Sequence, residues 1–317
     1  MTRDQKIKIA MVICAVVLLC AVIITSTGLF SLAGISGYAD AEKYTAGGTE
    51  ITGEVKNLDI NWTSRKVTVA YHAENTVTLT ESAKRALSDD EQMRWWLDGD
   101  TLRVQFAKSG IRLNMPEKEL TLTLPEGTEL KEARIHTTSA DMEIQALKAE
   151  ENILLESTSG DIQANAEAWI IRTNSTSGNT KIRSTGKLGG VVVYTTSGAI
   201  DLEVEKCLEI ETGSTSGQIR ISAGEATNTA TVQSTSGNIR ISLTKMTKLL
   251  KINATSGDIT AVLPEEPGFT ASVDTTSGKF TYELALSKDG SNYVCGDGSA
   301  KVDIDSTSGN VRIEAVQ

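Results

Sequence analysis

The chain has 317 residues, a formal net charge of −10, and only 4% aromatic residues. The acidic balance excludes a surface built for nucleic acid or for direct contact with anionic lipid headgroups. Two histidines and four cysteines, none in a recognisable ligand spacing, leave no metal motif.

The first element is apolar. Ile9–Ile24 carries no charge, and the next charged residue after Lys8 is Asp40. Such a run can span a bilayer core. Arg3, Lys6 and Lys8 outweigh Asp4 before it, which puts the N-terminus in the cytoplasm and the rest outside. The rival reading is a cleaved signal peptide, with Ala39-Asp40-Ala41 as a small-residue site. The run is longer than the usual h-region of about 7–15 residues, so a retained anchor is the reading adopted, with cleavage after Ala41 left open. The expected organisation is a cytoplasmic stub over 1–8, an anchor over 9–35, a polar linker over 36–50, an irregular β-rich part over 51–135, and repeats over 136–317. The stub holds three basic residues and one acidic, so the remainder carries −12.

In the β-rich part, Leu58, Ile60 and Trp62 alternate, as do Val67, Val69 and Tyr71. Period-2 alternation marks strands with one buried face. Asp98-Gly99-Asp100 between two apolar runs is a hairpin signal. Trp62-Thr63-Ser64-Arg65-Lys66-Val67 reads as a degenerate copy of the turn that dominates the rest of the chain.

That turn is Thr-Ser-Gly. It recurs with serines at 139, 159, 177, 197, 216, 236, 256, 277 and 308, in steps of 20, 18, 20, 19, 20, 20, 21 and 31 residues. The first copy has Ala140 in place of glycine. A period this steady predicts an all-β solenoid of about nine laps of about 20 residues, each with strands on both sides of the turn. Ile162, Ile182, Ile200, Ile219, Ile239 and Ile259 follow their turns at nearly the same offset and are expected to line one interior column. The glycines are expected at positive φ, and the turn hydroxyls are expected to bond backbone and form a ladder. The lap at Gly309, last in sequence, is expected to have one neighbour. The residue after the glycine is Asp, Asn, Gln, Ala or Lys, and too few are Asp for a calcium-binding roll. Leu124-Pro125-Glu126-Gly127 and Leu263-Pro264-Glu265-Glu266 echo one another and read as lap connections.

No catalytic, cofactor-binding or metal-ligating residue stands out. The repeated serine lies in nine equivalent turns, and Gly213–Gly217 lacks nucleophile-elbow spacing. Asp201, Glu203 and Glu205 alternate on one strand and read as a solvated face. Trp95-Trp96 is the conspicuous aromatic pair, with core or hairpin packing as its expected use. Cys14 and Cys20 fall in the apolar run; whether Cys207 and Cys295 pair is open.

The repeated T-S-G-(D/N)-I turns, the Asp98–Leu102 hairpin and the LTLPEG approach resemble the bacterial DUF4097 family, also called candidate adhesins, over about residues 50–317. With a membrane anchor before the repeats, the chain is similar to envelope-stress proteins of the Lia type. The resemblance implies a non-catalytic cell-envelope surface protein, a scaffold or an accessory to envelope-stress signalling. The alternative is an adhesin-like binder of extracellular polymer or cationic antimicrobial peptide. The expected partners are an envelope protein or polymer, with no cofactor and no nucleic acid. The expected place is the cell membrane, with the C-terminal domain extracellular.

Overall fold

The computed structural model describes residues 37–110 and 114–316. Among them the chain is all β, with two single-turn 3-10 helices at Ala41–Lys43 and Asp89–Glu91. None of the described helices is long and apolar enough to cross a membrane. The apolar run that carries the anchor reading lies outside the described residues. The chain divides into two compact units, one running to Arg172 and one starting at Thr173.

The first unit contains β1 (Thr45–Ala46), β2 (Thr49–Ile51), β3 (Asn57–His72), β4 (Val77–Ala83), β5 (Arg94–Asp98), β6 (Thr101–Gln105), β7 (Lys118–Pro125), β8 (Leu130–Ser157) and β9 (Ile162–Glu167). Strand β3 is a lap of the stack. It pairs in parallel with β8, Leu58 opposite Ala133 and Val67 opposite Met142. The degenerate turn is a true one, because Ser64 lies opposite Ser139. On its other edge β3 pairs in parallel with β6 and then β7. The first lap in sequence therefore sits between the second and the third. The edges of β6 and β7 are then covered by antiparallel strands, β5 on β6 and β4 on β7. Asp98 pairs with Thr101 across the expected hairpin, where Gly99 has φ +64°.

Strand β10 (Ile170–Ser175) leads into the second unit. There β11 (Thr180–Thr195), β12 (Ile200–Ser214) and β13 (Ile219–Ser234) pair in parallel and in register. Strands β14 (Ile239–Lys245) and β15 (Leu249–Ser256) both pair with β13, and β16 (Ile259–Leu263) pairs with β14. Next in sequence come β17 (Phe269–Thr275), β18 (Phe280–Tyr282), β19 (Ser287–Asp289) and β20 (Asn292–Cys295), then β21 (Ala300–Ser308) and β22 (Val311–Ala315). In space the order changes. Strand β21 lies between β15 and β17, and β22 lies between β16 and β18. The lap that ends the sequence is thus an interior lap with a neighbour on each side, against expectation.

The six column isoleucines are all buried, at 1% exposure or less. Their register differs at one place. Ile200 lies opposite Thr180, and Ile182 lies opposite Leu202, so Thr180 takes the slot expected for Ile182.

The turn glycines also differ from expectation. Only Gly257 and Gly309 among them have positive φ. The others are glycine because the laps are close. A Cβ on Gly160 would lie 1.9 Å from the Ala140 carbonyl oxygen, and one on Gly217 would lie 1.8 Å from that of Gly198. No side chain fits such a gap.

The buried hydroxyl is one residue earlier than expected. Ser157, Ser175 and Ser234 donate to the carbonyls of Gly160, Gly178 and Gly237 at 2.8, 2.9 and 2.9 Å. Thr195 and Ser214 accept from the amides of Gly198 and Gly217 at 3.0 and 2.7 Å. In β3 this slot holds Trp62, whose indole N–H reaches the carbonyls of Ser64 and Lys118, each at 3.1 Å. After the glycine, Asp and Asn carry lap-to-lap bonds. The amides of Asp161, Ala199 and Asp258 donate to Asp141, Asn179 and Asn238 at 2.9, 3.0 and 2.9 Å.

Candidate functional site

Parallel in-register stacking places like positions of successive strands in rows on the outer sheet face. In the first unit one row is charged. Asp59 lies opposite Arg103 on one side and Arg134 on the other. Arg103 donates to Asp59 at 2.8 Å and to Asp98 at 3.1 Å. Burial works against the Arg103 cation, but Asp98 and Asp59 hold its pKa above the ordinary guanidinium value. Arg134 donates to Glu156 at 3.2 Å, and that carboxylate is almost wholly buried.

Asp59, Arg103 and Arg134 wall a groove of about 570 Å³. Asn57, Asn152 and Glu132 add amide and carboxylate groups to its lining, and Lys131 and Arg172 add cations. Asn152 is tied to Glu132 at 2.9 Å. Lys131 faces Glu151 at 3.7 Å. Arg172 is exposed and makes no ion pair among the described residues. Of the four cationic side chains in the lining, Arg103, Arg134 and Lys131 are each paired with a carboxylate, which leaves Arg172 as the cation without an ion pair among the described residues.

Beside the groove lies a second polar group. Glu156 Oε1, His136 Nδ1 and Arg134 Nε are buried without a hydrogen-bond partner in the protein. Burial holds the His136 pKa below its ordinary value, although Glu156 pulls the other way. At neutral pH the ring is therefore uncharged.

A second, more open hollow near Gly47 and Thr80 has Glu81 and Arg85 in its lining already committed. Glu81 pairs with Lys118 at 2.6 Å, and Arg85 pairs with Glu91. Lys118 is fully buried and also donates to the carbonyls of Glu91 and Phe106, beneath the Trp62 and Phe106 rings. Burial lowers its pKa against the pull of Glu81. The buried Lys118–Glu81 pair is a packing device.

The other residues singled out in the sequence fall as follows. Asp201 and Glu203 are on a solvated face, paired with Lys181 at 3.3 Å and Arg183 at 2.7 Å. Trp96 packs edge-on to Tyr44 beneath Lys43, and Trp95 lies opposite Val104 in the hairpin. Cys207 and Cys295 are both free and buried, and burial pushes the Cys207 thiol up to about 11. Among the described residues no three His, Cys, Asp or Glu side chains gather as metal ligands. The groove itself was missed in the sequence. Its lining comes from strands tens of residues apart, and only the lap register, with Ser64 opposite Ser139, could have aligned them.

Parallel strands in register on both sides of a recurring turn define an all-β protein with a repeat-like fold. The chain belongs to the DUF4097 family, whose model, described as Toastrack DUF4097, matches residues 55–314. No curated protein matches the chain. Among solved structures it is similar to a candidate adhesin from Bacteroides fragilis, at 14% identity over 70% of this chain and 98% of that one, with a TM-score of 0.43. It is also similar to a candidate lipid-binding protein from Parabacteroides distasonis, at 12% identity over 89% and 99% of the two chains, with a TM-score of 0.38.

Proposed function

We propose that this protein is a non-catalytic, membrane-anchored module of the cell envelope that binds an extended anionic polysaccharide in the groove of its first unit. In that role it serves as a scaffold or an accessory to envelope-stress signalling. Within each unit the stacked laps are turns of a β-solenoid, and their flat faces suit a linear partner. The apolar run with its basic flank supports the anchor and an external domain.

The observation that carries the reading is the groove with Arg172 uncommitted at its edge. The amides of Asn57 and Asn152 and the Glu132 carboxylate match sugar hydroxyls. Arg172 and Lys131 match carboxylate or phosphate groups along the chain. A second reading, attraction of a cationic peptide, draws on the −12 charge outside the stub.

Titration of the full chain with polygalacturonate, neutral dextran and polylysine separates these readings. Polygalacturonate should bind, dextran should not, and Arg172→Glu should weaken the binding by tenfold or more. Arg220→Glu, an exposed charge in the second unit, should change little. Binding of polylysine alone would replace the polysaccharide with a cationic peptide.

A further inference from the structure

The strand edges that close the outer laps are covered, with one exception. In the first unit β5 and β4 lie antiparallel on β6 and β7. In the second unit β20 lies antiparallel on β17. Strand β18, the other strand of the β17 lap, pairs only with β22 among the described residues. Its side chains are in core slots. Phe280 lies opposite Val311 and Tyr282 opposite Ile313, so these rings continue the interior column. With a lap on one side only, Tyr282 is 45% exposed. Phe280, Tyr282 and Tyr293 pack against one another, with centroids 4.9–5.7 Å apart.

The backbone of this edge is poised. Val311 N donates to Lys279 O at 2.9 Å and Glu283 N donates to Ile313 O at 3.0 Å. Alternation along the strand then turns the N–H and C=O groups of Phe280 and Tyr282 outward. An unpaired row of this kind is satisfied by another strand.

The sequence of the edge specifies which strand. Lys279-Phe280-Thr281-Tyr282-Glu283 is complementary to itself when reversed. Laid antiparallel about Thr281, it sets Lys279 against Glu283, Phe280 against Tyr282, and Thr281 against itself. Each aromatic pair falls at a hydrogen-bonded position, as the outward backbone groups require. The Lys279 side chain is exposed and makes no ion pair among the described residues, so its charge is uncommitted. Glu283 is already aligned by Arg312. We propose that two copies of this chain associate through their β18 edges, as an isologous antiparallel pair centred on Thr281 that buries the aromatic column ends of both.

The test uses the full chain in detergent, with mass followed by sedimentation. The wild type should be dimeric. Lys279→Glu and Glu283→Lys place like charges opposite each other at two pairs, and each should weaken the dimer by about tenfold. Mixing the two variants restores opposite charges at both pairs, so the mixture should recover the dimer. Recovery also shows that neither variant has misfolded. Thr281→Cys should form a 281–281 disulfide under mild oxidation, because opposed non-hydrogen-bonded positions have Cα atoms about 4.5 Å apart. Ser222→Cys, exposed in mid-stack, should not. A chain that stays monomeric to about 100 µM (a Kd weaker than about −5.5 kcal/mol) overturns the proposal. So does a dimer indifferent to both charge variants and to their mixing.

Discussion

The backbone N–H of Asn310 donates to the Asp258 carboxylate at 2.8 Å, across 52 residues of sequence. The Asn310 side chain in turn accepts from the amide of Lys279 at 3.2 Å. One residue thus has the preceding lap on one side and, on the other, a lap that comes before it in the chain. This places β21 and β22 inside the stack and explains the 31-residue step: the chain builds the outer lap and the β19–β20 hairpin first, then returns.

Gly309 should therefore be as sensitive as a glycine in mid-stack. A Cβ there would lie 2.1 Å from the Gly257 carbonyl oxygen, against 1.8 Å between Gly217 and Gly198. Gly309→Ala and Gly217→Ala should each destabilise by about 1–3 kcal/mol through overpacking. Urea unfolding of the two variants checks this. A neutral Gly309→Ala would mean that the Gly309 turn does not stack closely on the Gly257 turn.

The hydroxyl that matters precedes the repeated word. Ser234 both donates to Gly237 O and accepts from Gly237 N, each at 2.9 Å. Ser234→Ala strands a buried carbonyl and amide and should cost about 1–3 kcal/mol. Ser236→Ala, at the exposed serine of the same turn, should stay within about 0.5 kcal/mol of wild type. The same unfolding measurement distinguishes them, and equal losses would put the ladder on the wrong residue.

Lys118 and Glu81 form a buried pair at 2.6 Å. Lys118→Met leaves the Glu81 carboxylate buried without its partner and should destabilise by about 3–5 kcal/mol. Adding Glu81→Leu removes that stranded charge and should recover most of the loss. Thermal melts of the single and double variants test the coupling. A double variant no better than the single would mean that the cost is set by the carbonyls of Glu91 and Phe106 or by the Met93 amide, which donates to Glu81 at 2.9 Å.

His136 gives the fold an acid-sensitive contribution. Its folded pKa is depressed by burial, so the folded ring resists a proton that the unfolded chain accepts near the ordinary imidazole value of 6.5. The contribution is present above the unfolded value and is lost as pH falls from there through the folded pKa. His136→Gln should lose less stability than wild type between neutral pH and pH 5. Parallel slopes for the two proteins would show that the ring titrates alike folded and unfolded.

The lap architecture was legible because a turn word recurs at a fixed period, and even its degenerate form at Ser64 pairs with Ser139. The reason for the glycines was not legible. Positive φ and close approach select the same residue, and only the 1.9 Å that would separate a Cβ on Gly160 from the Ala140 oxygen tells the two causes apart. Lap order escaped the sequence for a different reason. Parallel pairing depends on register, and a strand such as β22 matches β16 and β18 equally well in pattern. The groove was hidden because Arg103, Asp59, Arg134 and Arg172 meet only after the laps are stacked.

The most direct test of the proposed function is to locate bound polysaccharide by hydroxyl-radical footprinting of the full chain. Leu154 and Arg172 line the groove, whereas Arg220 is exposed in the second unit. With saturating polygalacturonate, radical modification of Leu154 and Arg172 should fall by several-fold while Arg220 is unchanged. Unchanged modification at Leu154 and Arg172 in the presence of demonstrated binding would contradict the groove as the site.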